Sequence, residues 1–211
     1  MKTDDLINLL AEDAPVSRSL TRGLAIALVS GALLSSLFLL VTIGIRSDIA
    51  EAVQTLRVIF KIGLTFVLAA TACNLVFKIG KPGVALRPSV VLLFLPLVVL
   101  GAGVIAELFV TPAGEWKTAF VGRYSAFCLI YIPLLSLVPL AAFLRALKGG
   151  APENPVKAGA AAGLAAGAIG AAIYAWHCPD DSPLFIASWY TIAVAFVTLC
   201  GGLAGRSLLR W

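Results

Sequence analysis

The sequence predicts an all-α membrane protein with six transmembrane helices and both termini in the cytoplasm. Three observations predict this fold: the apolar composition, six apolar runs close to the length of a membrane span, and an uneven distribution of Lys and Arg. Hydrophobic residues make up 60% of the 211 residues, charged residues make up 13%, and the mean hydropathy is +1.00. An ordinary globular domain is about 45–50% apolar and about 25% charged. The composition therefore excludes a soluble enzyme, a secreted disulfide-rich protein and a disordered protein.

Six apolar runs predict six membrane spans, because a helix needs about 20 mostly apolar residues to cross a bilayer. The runs are Leu24–Ile45, Val58–Phe77, Ser89–Ala106, Tyr124–Leu144, Ala158–Trp176 and Phe185–Gly205. The segments between them are too short to fold as separate domains. We therefore divide the chain into an N-terminal tail, residues 1–23, and a six-helix membrane domain, residues 24–211.

The orientation follows from the basic residues, because Lys and Arg are enriched in loops on the cytoplasmic side. Alternate loops assign eleven of them to one side: Lys2, Arg18, Arg22, Lys78, Lys81, Arg87, Arg145, Lys148, Lys157, Arg206 and Arg210. The other side holds five: Arg46, Arg57, Lys61, Lys117 and Arg123. Both termini are therefore predicted to be cytoplasmic. The net charge of +5 is an orientation signal here, and we expect no direct contact with nucleic acid.

Charged residues at the ends of two runs need their own explanation. Lys61 and Lys78 bracket only 16 residues of the second run, and we expect both to extend their ammonium groups to the membrane surfaces. Glu107 follows the third run, where we expect water to reach its carboxylate. The interiors of the runs are otherwise free of charge, which argues against an ion-coupled transporter.

Several local patterns predict how the spans begin, bend and pack. Ser47 can cap an interfacial helix over residues 48–57, and Asn74 is expected to bond to a neighbouring helix. Prolines predict kinks in the third and fourth spans at Pro96, Pro133 and Pro139. Glycines at four-residue spacing predict close helix packing within the monomer, which we favour over a dimer interface: Gly159, Gly163, Gly167, Gly201 and Gly205.

The N-terminal tail has the pattern of a short amphipathic helix that ends at Pro15. An N-cap and two acidic residues in the first turn precede an apolar face. Membrane-surface helices are usually rich in Lys and Arg, and this tail is acidic, so we expect it to bind a groove on a protein. The predicted partner-binding residues are Thr3, Asp4, Asp5, Leu6, Ile7, Leu9 and Leu10.

The four cysteines fall into two groups under this topology. Cys73 and Cys200 lie in the cytoplasmic halves of two spans, and packing explains them. Cys128 and Cys178 lie at the outer face, where two thiols could form a disulfide, react or bind a soft metal, or could be unrelated. Residues beside Cys178 could tune its thiolate or add metal ligands, although a solvated loop explains the acids equally well: His177, Asp180 and Asp181.

The chain resembles the NrsF family of bacterial membrane anti-sigma factors. The resemblance starts at Lys2-Thr3-Asp4-Asp5-Leu6-Ile7, with Leu10-Ala11 and Asp13 behind it. It continues through the six spans, Gly122-Arg123, the loop His177–Pro183 and the closing Leu209-Arg210-Trp211. The soluble zinc-binding anti-sigma motif His-x-x-x-Cys-x-x-Cys is absent from the sequence.

The resemblance implies an inner-membrane protein that sequesters an extracytoplasmic-function sigma factor and releases it under oxidant or heavy-metal stress. The two periplasmic cysteines of the family fall on Cys128 and Cys178. We expect no enzyme activity and no resident cofactor, apart from a transient soft metal at Cys128, Cys178 and His177. Two other functions remain open from the residues: a membrane thiol–disulfide oxidoreductase, although the chain has no Cys-x-x-Cys pair, and a small-molecule transporter or channel.

Overall fold

The computed structural model describes residues 20–81, 83–150 and 152–209. All regular structure in these ranges is helical, and six helical segments are long and apolar enough to cross a membrane. From the first span to the sixth they are Leu20–Thr42, Leu56–Ile79, Arg87–Val110, Ala113–Leu147, Pro155–Tyr174 and Pro183–Leu208. The prediction of an all-α protein with six apolar spans is confirmed, and the first helix begins four residues earlier than its apolar run.

Three spans consist of more than one helical piece. The third is broken at Leu93 between Arg87–Leu92 and Phe94–Val110, because Pro96 has no N–H to bond to the carbonyl of Leu92. The fourth begins with short helices at Ala113–Glu115 and Trp116–Val121, followed by the long helix Ser125–Leu147. The sixth consists of Pro183–Phe185, a π-helical turn at Ile186–Tyr190 and the helix Thr191–Leu208.

The fourth span remains a continuous helix through both of its internal prolines, Pro133 and Pro139. Pro139 lies against the first span, because a Cβ added at Gly31 would lie 2.8 Å from the Pro139 Cα. Asn74 of the second span donates a hydrogen bond to the hydroxyl of Ser89 in the third at 3.2 Å, as expected from the sequence. Small and polar residues thus set the close approaches between these helices.

The fifth span is the centre of the bundle, and the second, fourth and sixth spans pack around it. Its glycine face meets the sixth span so closely that a Cβ added at Gly159 would lie 2.7 Å from the Gly205 Cα. A Cβ at Gly201 would lie equally close to the Gly163 Cα. The prediction that these glycines pack within the monomer is confirmed, because both faces are occupied by the same chain.

The predicted interfacial helix over residues 48–57 is wrong. Only Ile49–Ala52 is helical, and the chain then turns before the second span begins at Leu56. The Asp48 carboxylate is held by the Arg46 guanidinium through two contacts of 2.7 Å and makes no cap to the short helix. Without a side-chain cap, a single turn is all that forms here.

Candidate functional site

Cys128 and Cys178 meet at one end of the bundle, in a site that we call the thiol pair. Cys128 lies in the first turn of the helix Ser125–Leu147, and Cys178 lies in the loop between the fifth and sixth spans. Their sulfur atoms are 3.9 Å apart, and both side chains are fully buried. The two residues are therefore free thiols in direct contact, a proximity that the sequence had left open. Cys73 belongs to a different core cluster.

The loop that carries Cys178 is held against the fourth span by Asp180. One carboxylate oxygen of Asp180 accepts hydrogen bonds from the backbone N–H groups of Arg123 at 3.0 Å and Tyr124 at 2.8 Å. These N–H groups precede the helix Ser125–Leu147, so the carboxylate occupies a position at which helix termini favour an anion. The solvated-loop interpretation of Asp180 is therefore wrong, because its carboxylate fastens the loop over Cys128.

Aromatic side chains enclose the thiol pair. Tyr174 and Phe185 are fully buried and Tyr190 is nearly so, and all three belong to the core cluster that contains both sulfurs. The rings of Tyr174 and Tyr190 are 6.1 Å apart between centroids. The hydroxyl groups of these two tyrosines are buried without a hydrogen-bond partner among the residues that the structure describes. The site is therefore apolar, with two tyrosine hydroxyls beside the sulfur atoms.

Lys61 is fully buried beside the thiol pair, so the expectation that it reaches the membrane surface is wrong. Its Nζ donates a hydrogen bond to the carbonyl oxygen of Cys178 at 2.6 Å and forms a salt bridge with Asp181. A buried cation is tolerated only when it is paired and hydrogen-bonded. The loop supplies both partners, and this explains why Lys61 remains inside the protein.

The ion pairs continue from Asp181 to the first loop, because Arg46 donates to Asp181 at 2.9 Å. Asp181 is largely buried between the two cations, which excludes the solvated-loop interpretation for this acid as well. The exposed Asp48 is the outermost member, and the Arg46 guanidinium lowers the pKa of its carboxyl to about 2. The pKa of Arg46 is raised, chiefly because its side chain bonds to Asp48. Four charged residues therefore join two loops and the second span.

Glu107 ties the third span both to the second span and to the same loop. Arg57 and Glu107 form a salt bridge of 3.0 Å, and Glu107 accepts a hydrogen bond from the Ser182 hydroxyl at 3.3 Å. Glu107 is buried, with 7% of its surface exposed, so water reaches its carboxylate less than expected, and protein partners take most of its hydrogen bonds. Next to it lies a polar cavity of about 710 Å³, whose walls include Arg57, Glu107, Asp180 and Asp181.

The pKa of the Cys178 thiol is lowered relative to its ordinary value. The main cause is the hydrogen bond that it receives from the Cys128 thiol, and the positive charge of Lys61 acts in the same direction. Burial acts in the opposite direction, since an apolar environment disfavours the thiolate. The contact with the Cys128 thiol and the charge of Lys61 therefore both favour negative charge on the Cys178 sulfur.

His177 contacts the first loop and Tyr174. Its Nδ1 lies 2.9 Å from the carbonyl oxygen of Gly44, and its ring packs against Tyr174. Over residues 20–81, 83–150 and 152–209, no group of three or more His, Cys, Asp or Glu side chains is arranged to hold a metal ion. The structure thus brings Cys128 and Cys178 together and leaves the candidate three-ligand set with His177 unassembled.

The comparison with known sequences gives a family match to "NrsF: Negative regulator of sigma F" over residues 9–211. The chain belongs to the NrsF family. It is 35% identical over 215 residues to a protein of Azospira oryzae named "Probable anti-sigma-F factor NrsF". It is 34% identical over 217 residues to "Anti-sigma-F factor NrsF" of Caulobacter vibrioides. Both similarities cover 100% of this chain and of the relative. No solved structure matches the chain.

Membership of the NrsF family confirms the resemblance inferred from the residues. The candidate partner-binding residues of the tail lie outside the part of the chain that the structure describes: Thr3, Asp4, Asp5, Leu6, Ile7, Leu9 and Leu10. The ion pairs around Lys61 and Asp181 were missed in the sequence. A signal for them exists, because a lysine just inside an apolar run requires a counter-ion, and Asp180 and Asp181 lie in a loop at the same end of the spans.

Proposed function

We propose that this chain is a membrane-bound anti-sigma factor whose N-terminal tail sequesters an extracytoplasmic-function sigma factor. In this proposal, oxidant or heavy-metal stress is sensed at the thiol pair on the periplasmic side, and the sigma factor is then released. The observation that carries the sensing step is the 3.9 Å contact between the sulfurs of Cys128 and Cys178. Membership of the NrsF family and the names of its relatives support the regulatory step.

The topology in the proposal is an inner-membrane protein with both termini in the cytoplasm. The support is the eleven-to-five distribution of Lys and Arg, together with six spans, which return the chain to the side on which it starts. The thiol pair then faces an oxidising compartment, where disulfides form and persist. The tail faces the compartment that contains RNA polymerase and its sigma factors.

The tail supplies the binding in this proposal. Burying Leu6, Leu9 and Leu10 contributes about 2 kcal/mol for each side chain. Ordering a flexible segment offsets about 2–5 kcal/mol of that gain. The remaining affinity of an isolated tail peptide is therefore small, and basic loops on the same side, including Lys78, Lys81 and Arg87, are proposed to add contacts.

A disulfide or a bound metal at the thiol pair would act on a loop that is fastened to four spans. Lys61 joins the loop to the second span, and Asp180 joins it to the fourth. Glu107 and Ser182 join it to the third, and the backbone N–H of Arg46 donates to the Trp176 carbonyl after the first. Changing a bound fraction from 99% to 1% requires about 5.5 kcal/mol. Covalent chemistry can supply that amount, whereas one surface hydrogen bond, at about 1 kcal/mol, cannot.

The decisive experiment measures whether a sigma factor co-purifies with the chain before and after stress. The full-length chain is co-expressed in turn with each extracytoplasmic-function sigma factor of its host and purified from membranes before and after oxidant or cadmium treatment. One sigma factor should co-purify from unstressed cells and be lost after stress. The variant with both Cys128→Ser and Cys178→Ser should keep the sigma factor under both conditions. If no sigma factor co-purifies with the intact chain, the proposal is wrong.

A further inference from the structure

The two thiols of the pair have different surroundings. Cys178 lies in a loop, its carbonyl oxygen is bonded to the Lys61 ammonium, and its sulfur is 3.9 Å from the carbonyl oxygen of Asp180. Cys128 lies in the first turn of a helix, and its sulfur contacts the Cys178 sulfur. Two sulfurs in such unequal environments are expected to have unequal roles in oxidation.

We propose that Cys178 is the attacking thiol and Cys128 the resolving thiol of a peroxide-driven disulfide switch, with Lys61, Tyr174 and Tyr190 as positioning residues. The inference rests on the sensing function proposed above and assigns the order of its chemical steps. It also names peroxides as the class of oxidant that the site accepts.

The charges around Cys178 favour a thiolate at this position. The buried part of the ion-pair network contains two cations, Lys61 and Arg46, and one anion, Asp181. Asp48, the fourth member, is half exposed, so water screens its charge. In a region where screening is weak, the positive charge of Lys61 favours a thiolate at Cys178 more than the carboxylate of Asp180 disfavours it. The lowered pKa of the Cys178 thiol agrees with this balance.

The hydroxyls of Tyr174 and Tyr190 provide a second, independent observation. Both side chains are more than nine-tenths buried, and neither hydroxyl makes a hydrogen bond of ordinary length within the described residues, although both lie near the sulfur atoms. Buried donors without an acceptor are uncommon and require an explanation. An oxygen atom attached to the Cys178 sulfur, or the distal oxygen of a bound peroxide, would accept their hydrogen bonds. The tyrosines therefore form a site for the oxygen that the reaction brings.

The reaction balances without a further reagent. The Cys178 thiolate attacks one oxygen of a hydroperoxide, so that an S–O bond forms and the O–O bond breaks. The second oxygen leaves as an alcohol, or as water from hydrogen peroxide, after recovering the proton that Cys178 lost. The Cys128 sulfur then attacks the Cys178 sulfur, the S–S bond forms, and the S–O oxygen leaves as water with the Cys128 proton. Two thiols are oxidised by two electrons, and the peroxide is reduced.

A polar cavity adjoins the loop that carries Cys178. Both sulfurs are fully buried, but the polar cavity of about 710 Å³ is lined by Pro179, Asp180 and Asp181, which directly follow Cys178 in the loop. The size and polarity of the cavity suit a peroxide better than a protein oxidant, which could not enter it.

The test traps the intermediate on each sulfur in turn. In a background with Cys73→Ala and Cys200→Ala, the purified full-length chain carries either Cys128→Ser or Cys178→Ser. Each variant is treated with hydrogen peroxide, unfolded in the presence of dimedone and analysed by peptide mass spectrometry. The sulfenic acid adduct should appear on Cys178 of the first variant, with at least about tenfold less on Cys128 of the second. Equal adducts, or more adduct on Cys128, would overturn the assignment.

Lys61 is tested by the rate of disulfide formation in the chain that retains both thiols of the pair. Lys61→Met removes the cation, so the pKa of the Cys178 thiol should rise and the fraction of thiolate should fall. A thiolate with a higher pKa is a stronger nucleophile, which offsets part of that loss. The attack should therefore slow about threefold for each unit by which the pKa rises. Lys61→Arg should restore the rate, and Asp48→Asn, at the exposed end of the network, should leave it unchanged. An unchanged rate in folded Lys61→Met would remove Lys61 from the mechanism.

The experiments distinguish a wrong order of attack from a failure of redox sensing itself. If the intact chain forms no disulfide between Cys128 and Cys178 with hydrogen peroxide, redox sensing at this pair is wrong, and the order of attack fails with it. If the disulfide forms while the sulfenic acid is trapped on Cys128, redox sensing is retained and only the assigned order is wrong.

Tyr174→Phe should lower the yield of trapped sulfenic acid on Cys178, and an unchanged yield would remove the hydroxyl from the mechanism.

Discussion

The Nζ of Lys61 lies 2.6 Å from the carbonyl oxygen of Cys178, although 117 positions separate the two residues in the chain. This contact places a cation of the second span directly beneath the loop that carries half of the thiol pair. The same ammonium group is paired with Asp181 three positions further along. Any movement of the loop therefore acts on the second span as well as on the fourth.

The first prediction concerns this buried cation. Lys61→Met should lower the free energy of unfolding by about 3–5 kcal/mol, because it removes one partner from a buried ion pair. The double variant Lys61→Met with Asp181→Asn should lose less than the sum of the two single losses. Thermal unfolding in detergent measures all three variants. Lys78→Met, at the other and less buried end of the same helix, is the control and should change stability by less than about 0.5 kcal/mol.

The second prediction concerns the contact between the fifth and sixth spans. Gly159→Ala should destabilise the protein by about 1–3 kcal/mol, because the added Cβ would lie 2.7 Å from the backbone of Gly205. Gly101→Ala is the matched control, since nothing lies within 4 Å of the Cβ added there. Comparing the two unfolding temperatures isolates the steric effect. Equal unfolding temperatures for the two variants would contradict the prediction, because they would mean that the fifth and sixth spans can move apart without a loss of stability.

The third prediction is the topology. A reporter that is active only in the periplasm should be silent when fused after Trp211 and active when inserted near Glu115. The reason is the greater number of Lys and Arg residues on the side assigned to the termini. The reverse pattern of activity would contradict the assigned orientation and, with it, the periplasmic position of the thiol pair.

The fourth prediction concerns the tail. Leu6→Asp or Leu10→Asp should weaken sigma-factor binding about 30-fold, because each removes about 2 kcal/mol of apolar burial. Expression of the genes controlled by the sigma factor should rise without stress. Asn8→Asp adds the same charge to the opposite face of the predicted helix and should leave repression intact. Continued repression in the leucine variants, with the protein still in the membrane, would exclude the tail as the binding segment.

The fifth prediction concerns the response to stress. Cys128→Ser and Cys178→Ser should each abolish induction by oxidant, and to the same extent, because a disulfide needs both sulfurs. Cys73→Ser and Cys200→Ser should respond normally, since neither residue belongs to the thiol pair. Induction of the target genes is the measurement, with hydrogen peroxide and cadmium as separate challenges. A double variant of Cys128 and Cys178 that still responds to both challenges would rule out the switch.

Features that depend on neighbouring residues in the chain can be predicted from this sequence, whereas contacts between distant residues cannot. The six spans are predictable because hydropathy is a local property, and the close helix packing is predictable because Gly159, Gly163 and Gly167 repeat every four residues. The contact between Cys128 and Cys178 depends on how the loop folds over the fourth span, which Asp180 decides from a distance. The burial of Lys61 likewise depends on Asp181, and no local pattern joins the two.

The pairing of Lys61 with Asp181 has a consequence for how the protein is made. Asp181 is 120 positions downstream of Lys61, and ribosomes add about 5–20 residues per second. The second span therefore emerges roughly 6–24 s before its counter-ion exists. During that interval the nascent lysine must extend towards the membrane surface, as lysines near span ends do. Its withdrawal into the protein is a late step of biogenesis, completed only when the last loop arrives.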